Sequence, residues 1–67
     1  MKYWYAVMMD REDNDWGTGS FDIAEAKAKA ITMGCDAYIA VIDGGYDAQG
    51  NATTDPVCVD EIAQEDF

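Results

Sequence analysis

The sequence predicts an α+β fold in which a three-stranded mixed sheet carries one helix on one face, in the order β-α-β-β. A chain of 67 residues has room for one hydrophobic core, so residues 1–67 are expected to form a single domain. Hydrophobic residues make up 49% of the chain, which is enough for a core despite a formal net charge of -10. Short apolar runs on either side of one segment with helical start and stop signals give the order of the elements.

Three runs rich in β-branched and aromatic residues predict the strands. They are residues 2–9 (KYWYAVMM), 36–43 (DAYIAVID) and 57–62 (VCVDEI). Because a helix separates the first two strands, we expect them to run parallel, as in a strand-helix-strand crossover. The turn-rich residues 44–56 predict a hairpin that brings the third strand beside the second. The last five residues, 63–67, are expected to fray.

The helix is predicted over residues 22–33. Asp22 is a typical N-cap residue, Glu25 three positions later completes a capping box, and Gly34 is a typical stop. Alternating alanines raise the helix propensity and allow the helix to lie close to the strands.

A single helix covers only one face of a sheet, so the sequence predicts an exposed apolar and aromatic patch on the other face. Such a patch would make the chain a self-associating structural or interaction module, for example a homodimer. The alternative is that loop residues such as Trp16 and Tyr46 fold back and cover the patch.

The strongly acidic composition limits which classes of partner the protein can bind. Fourteen acidic residues stand against four basic ones, with no His, and the isoelectric point is about 4.1. The resulting negative field repels phosphate, so direct nucleic-acid binding is not expected.

The sequence also predicts where the protein is located. Two cysteines are too few for a disulfide scaffold, and the strand-like run after Lys2 does not resemble a signal peptide, so a cytoplasmic location is expected. The longest apolar run, residues 3–9, is far shorter than the roughly 20 residues of a membrane span.

Eight of the fourteen acidic residues form two clusters along the chain: Asp10, Glu12, Asp13 and Asp15 in the first loop, and Asp60, Glu61, Glu65 and Asp66 near the end. Ordered carboxylates can imitate nucleic-acid phosphates and occupy the basic groove of a nucleic-acid-binding protein. This predicts a non-enzymatic protein-binding module, in its sharpest form an inhibitor of the anti-defence type that mobile elements carry. The predicted partner-binding residues are Asp10, Glu12, Asp13, Asp15, Trp16, Asp60 and Glu61. The alternative is that the acidity only keeps the domain soluble.

A cation-binding loop is a third hypothesis. Residues 10–14 have carboxylate and amide oxygens at alternate positions, as in a calcium loop. The required glycine is replaced by Asp15, however, and the bidentate glutamate by Phe21. The loop after the second predicted strand has similar spacing but Ala48 at its glycine position. These departures leave weak cation binding at most, and no metal or cofactor is expected.

Catalytic patterns are lacking. Without His, a nucleophile would need another base, and Cys35 follows a helix C-terminus, where the helix dipole opposes a thiolate. Cys58 lies within a strand pattern, where cysteine is more often a small core residue. Two cysteines offer too few soft ligands for a closed zinc site. We therefore expect a binding protein and not an enzyme.

Overall fold

The computed structural model describes residues 3–9, 16–45, 47, 49, 51 and 53–67. Its Cα radius of gyration is 10.8 Å, close to the ~11 Å expected for a compact domain of this length. Its elements are β1 (Tyr3–Met8), β2 (Gly19–Ser20), α1 (Ile23–Met33), β3 (Tyr38–Asp43), β4 (Val57–Ile62) and a 3-10 turn (Gln64–Asp66). The α+β class is confirmed, with α1 and the three predicted strands close to their predicted positions.

The predicted three-stranded mixed sheet is wrong in strand number and in strand direction. Within the described residues the sheet has four strands, in the order β2-β1-β3-β4, and all neighbours are antiparallel. β1 and β3, which were expected to run parallel, pair antiparallel from Tyr3 opposite Asp43 to Met8 opposite Tyr38. The two-residue strand β2 accounts for the difference, because it reverses the chain direction before α1 begins. The helix therefore connects β2 to β3, and β1 lies between these two strands.

Gly19 allows this additional strand to form. It lies opposite Ala6, and Ser20 lies opposite Tyr5. A Cβ atom on Gly19 would lie 2.2 Å from the Tyr5 carbonyl oxygen, far inside van der Waals contact. Only glycine permits this approach between two backbones. The Val7 N–H donates to the Thr18 carbonyl oxygen at 2.8 Å and continues the pairing beyond β2.

The hairpin between β3 and β4 is confirmed as an antiparallel pair that runs from Ile39 opposite Ile62 to Asp43 opposite Val57. Val41 pairs with Asp60 and Ile42 pairs with Cys58, so one β4 residue, Val59, is left over. This is a β-bulge, which increases the local twist of the strand that contains it.

The predicted N-cap of α1 is confirmed. Its hydrogen-bond network contains a third residue, Ser20, in addition to the Asp22 and Glu25 of a capping box. The Asp22 carboxylate accepts from the Ala24 N–H at 3.0 Å. The Asp22 N–H donates to Ser20 Oγ at 3.0 Å, and the Ser20 hydroxyl donates to Glu25 at 3.3 Å. Ser20 thus relays the contact that a capping box makes directly, which ties β2 to the first turn of α1.

The side of the sheet that faces α1 forms one half of the core. Alternating strand residues place Val7 and Ile39 on this side, where they pack with Ala26 and Ala30 of the helix. Both alanines are completely buried. Their small side chains allow the helix backbone to lie close to the strands.

The other side of the sheet is also buried along β1 and β3, so the exposed apolar patch predicted there is wrong. Its buried residues are between 0% and 6% exposed: Trp4, Ala6, Met8, Tyr38, Ala40 and Ile42. Trp16 and Phe21 pack against them, and the rings of Trp4 and Phe21 meet edge to face with centroids 4.9 Å apart. Trp16 is one of the loop residues that the sequence offered as a cover, whereas Tyr46 lies outside the described residues.

The C-terminal segment is ordered against the helix, so the expectation that it frays is wrong. The Gln64 amide donates to the carbonyl oxygens of Gly34 and Ala30, which lie at the C-terminal end of α1. Phe67 packs against the helix side of the core, and its ring centroid lies 5.7 Å from Lys27 Nζ. The Ala30 carbonyl oxygen also accepts from the Gly34 N–H and the Gly34 carbonyl oxygen from the Ala37 N–H, so Gln64 adds a second donor to each, and we call it a distant cap of α1.

Candidate functional site

β4 is the edge strand of the sheet, and its side chains are unusually exposed. Five of its six residues are exposed, and only Ile62 is half-buried. Val57 and Val59 are 58% and 52% exposed, although β-branched residues in strands usually pack against a neighbour. No described strand lies beyond β4. This edge therefore presents apolar side chains to solvent, and no described strand pairs with its outer side.

The second acidic cluster of the sequence lies along and just beyond this edge. We call Asp60, Glu61, Glu65 and Asp66 the C-terminal acidic edge; all four are exposed. Asp60 and Glu61 belong to β4, and Glu65 and Asp66 belong to the 3-10 turn. The Asp60 carboxylate accepts from the Glu61 N–H at 2.8 Å. These carboxylates are thus attached to backbone held by the β3–β4 ladder and by the Gln64 contacts.

The part of the chain that contains this edge carries only acidic side-chain charges. Residues 30–67 contain eight acidic residues and no Lys or Arg. The lysines of the described residues, Lys27 and Lys29, both belong to α1. The Lys29 ammonium group lies 4.0 Å from Glu25 and donates to the Gly19 carbonyl oxygen at 3.0 Å. Its positive charge therefore contacts groups next to β2 and not the β4 edge.

A cleft of about 360 Å³ opens beside the C-terminal end of α1. Its lining residues are Met9, Cys35, Asp36, Ala37, Tyr38, Ala63, Gln64 and Glu65. Asp36 and Glu65 thereby line one depression, next to helix carbonyls whose dipole is also negative at this end. Such a cleft attracts cationic groups. Sequence reasoning missed Asp36, because its proximity to Glu65 depends on the docked C-terminal turn.

The structure separates the predicted partner-binding residues into three groups. Asp10, Glu12, Asp13 and Asp15 lie outside the described residues. Asp60 and Glu61 are adjacent on the exposed edge strand. Trp16 is half-buried against the second face of the sheet, and its carbonyl oxygen accepts from the Trp4 indole N–H at 2.6 Å. This contact gives Trp16 a structural role, and its part in partner binding stays a prediction.

The second candidate cation loop uses one of its carboxylate oxygens in a turn. Asp47 Oδ1 accepts from the backbone N–H groups of Gln49 and Asn51, each at 2.9 Å. This pattern is typical of a turn closed by an aspartate side chain. Across the residues that the structure describes, no three Cys, Asp or Glu side chains are grouped in a way that could hold a metal ion.

Both thiols are on the surface. Cys35 and Cys58 are free and exposed. Cys35 Sγ lies 4.0 Å from an Asp36 carboxylate oxygen, and Cys58 Sγ lies 3.4 Å from the Asp60 carbonyl oxygen. Cys58 was expected to be a small core residue, and that expectation is wrong because β4 is an edge strand whose side chains have no covering layer.

Comparisons with protein family models, with curated proteins and with solved structures found no match to this chain. None of the helices in the described part of the chain is long and apolar enough to cross a membrane. The geometry of the edge strand and its carboxylates is therefore the basis of the proposed function.

Proposed function

We propose that this chain is a non-enzymatic binding protein that presents its C-terminal acidic edge to a basic surface of another protein. In its most specific form the partner is a nucleic-acid-binding protein, and the carboxylates take the place of phosphates in its binding groove. The proposal therefore predicts an inhibitor that competes with nucleic acid.

The observation that carries the proposal is that the backbone of the C-terminal acidic edge is paired or packed instead of frayed: Asp60 and Glu61 pair with β3, and the turn that contains Glu65 and Asp66 contacts α1. A binding surface that is already ordered loses less conformational entropy on association than a mobile one. The lack of Lys or Arg after Lys29 also favours binding, because residues 30–67 present no positive charge that would repel a basic partner. Complementary charge also raises the rate of association.

The alternative of self-association through an apolar sheet face has less support. At the central strands β1 and β3 both faces of the sheet are covered by the chain itself, and Trp4 is only 6% exposed. A dimer through the second face would require Trp16 and Phe21 to leave the core. Two chains that each carry a net charge of -10 would also repel one another.

The test of the proposed function is competition with nucleic acid. The chain is immobilised and used to capture a partner from its host at low salt, and the purified partner is then titrated with duplex DNA or RNA while bound to the chain. We expect salt-sensitive capture and displacement of the chain by nucleic acid. A purified partner that binds the chain and its nucleic acid simultaneously would contradict the proposal.

A further inference from the structure

The outer edge of β4 has the features of a site for strand addition. An edge strand offers N–H and C=O groups on its outer side, and an extended segment of a partner can pair with them as one more strand. On β4 the Glu61 N–H donates to the Asp60 carboxylate and the Asp60 carbonyl oxygen accepts from Cys58 Sγ, so an added strand would exchange these local contacts for interstrand hydrogen bonds. Proteins usually protect such an edge with charged side chains, a proline, a β-bulge or very short length. β4 is six residues long and has no Pro; its charges, Asp60 and Glu61, are both acidic, so they oppose pairing with an acidic strand but not with a basic one. The opposite edge of the sheet, β2, has only two residues.

The side chains of β4 indicate what would pair there. Asp60 lies opposite Val41 and Glu61 lies opposite Ala40, so the two carboxylates belong to opposite faces of the sheet. A strand that paired with both would need two consecutive basic residues. The exposed side chains of Val57 and Val59 favour β-branched residues opposite them, because such cross-strand pairs pack well.

A second copy of the chain is a poor occupant of this edge. Pairing two β4 strands would bring acidic residues of one copy close to acidic residues of the other, and like charges in facing strands are destabilising. The bulge at Val59 also twists the edge, which opposes docking of another preformed sheet. A short extended segment can follow the twist more easily.

We propose that β4 binds an extended segment of a partner protein, with two consecutive Lys or Arg residues beside β-branched ones, by antiparallel strand addition. This inference rests on the proposed function and specifies its binding mode. The basic pair meets Asp60 and Glu61, and the backbone of the segment pairs with the outer edge of β4.

The test uses the synthetic peptide acetyl-Val-Lys-Lys-Val-Thr-Val-amide and two isomers that are N-methylated at alternate positions. In an extended peptide alternate N–H groups point to opposite edges, so one isomer loses the donors that face β4 and the other keeps them. We expect the first isomer to bind at least about tenfold more weakly than the parent, since two or more hydrogen bonds are lost. The second isomer should bind like the parent. Equal binding by the two isomers, or no binding of the parent, would overturn strand addition.

Two matched variants of the protein locate the peptide. Val57→Lys places a protective lysine on the edge, whereas Ile31→Lys makes the same change on α1 at a side chain that is 62% exposed. Val57→Lys should weaken binding of the parent peptide at least about tenfold, as expected from edge protection, and Ile31→Lys by less than about twofold. Equal effects of the two variants would contradict peptide binding at β4. NMR signals of β4 amides that broaden with protein concentration in the absence of peptide would indicate that a second copy of the chain, and not a partner segment, pairs with this edge. A captured partner that still competes with nucleic acid would leave the proposed function standing.

Discussion

A pair of conservative substitutions, one on each side of the sheet, tests whether both sides are core. Ile39 packs on the helix side and Ile42 on the other, and both are 0% exposed. Ile→Val removes one methylene, which is worth about 0.8 kcal/mol when fully buried. Measured values for this substitution are about 0.5–1.5 kcal/mol. We therefore expect Ile39→Val and Ile42→Val each to lower the free energy of unfolding by about 1 kcal/mol.

The small change keeps both variants measurable. A chain of this length is expected to have a total stability of only about 3–10 kcal/mol, so a larger truncation of the core could unfold it. A loss of 1 kcal/mol lowers Tm by about 4–8 °C in a domain of this size. Chemical and thermal unfolding, followed by tryptophan fluorescence and circular dichroism, give both quantities. A cost for Ile42→Val below about 0.3 kcal/mol, beside a normal cost for Ile39→Val, would refute the covered second face.

Substitutions at three further positions test individual local interactions of the fold. Gly19→Ala should destabilise the protein by about 1–3 kcal/mol, because the new methyl group collides with the Tyr5 carbonyl; hydrogen exchange at β1 amides should speed up, and unchanged exchange would count against the β1–β2 pairing. Gln64→Ala should cost about 1 kcal/mol, and Gln64→Glu at least as much because a carboxylate would face the Gly34 carbonyl oxygen; a neutral effect of both would remove the distant cap. Asp22→Ala should cost about 0.5–2 kcal/mol and Asp22→Asn far less, as measured by urea unfolding; equal costs would contradict the N-cap.

The elements that local signals specify were predictable, whereas their arrangement was not. Asp22 and Gly34 mark the ends of α1 through their own conformational preferences, and alternation marks β1, β3 and β4. The extra strand β2 could not be recognised from its two residues, since Gly19 and Ser20 have low strand propensity and pair only because β1 is adjacent. Missing that reversal of the chain made β1 and β3 appear parallel.

The candidate site was predictable only in part, for a similar reason. The clustering of Asp60 and Glu61 is visible in the sequence, but their position on an exposed edge depends on the order of the strands. The tail carboxylates were expected to be mobile because nothing in the sequence links Gln64 to the end of α1, some 30 residues earlier. Long-range contacts of this kind are not encoded in local patterns.

The central claim, that the C-terminal acidic edge binds the partner, is tested most directly by two quadruple neutralisations with the same charge change. One replaces Asp60, Glu61, Glu65 and Asp66 by their amides, and the other does the same to Asp10, Glu12, Asp13 and Asp15. The affinity of the captured partner is measured for both at one salt concentration. We expect the C-terminal variant to lose at least about tenfold more affinity than the first-loop variant, since several charged contacts would be removed. Equal losses, or a larger loss in the first-loop variant, would contradict the assignment of binding to the β4 edge.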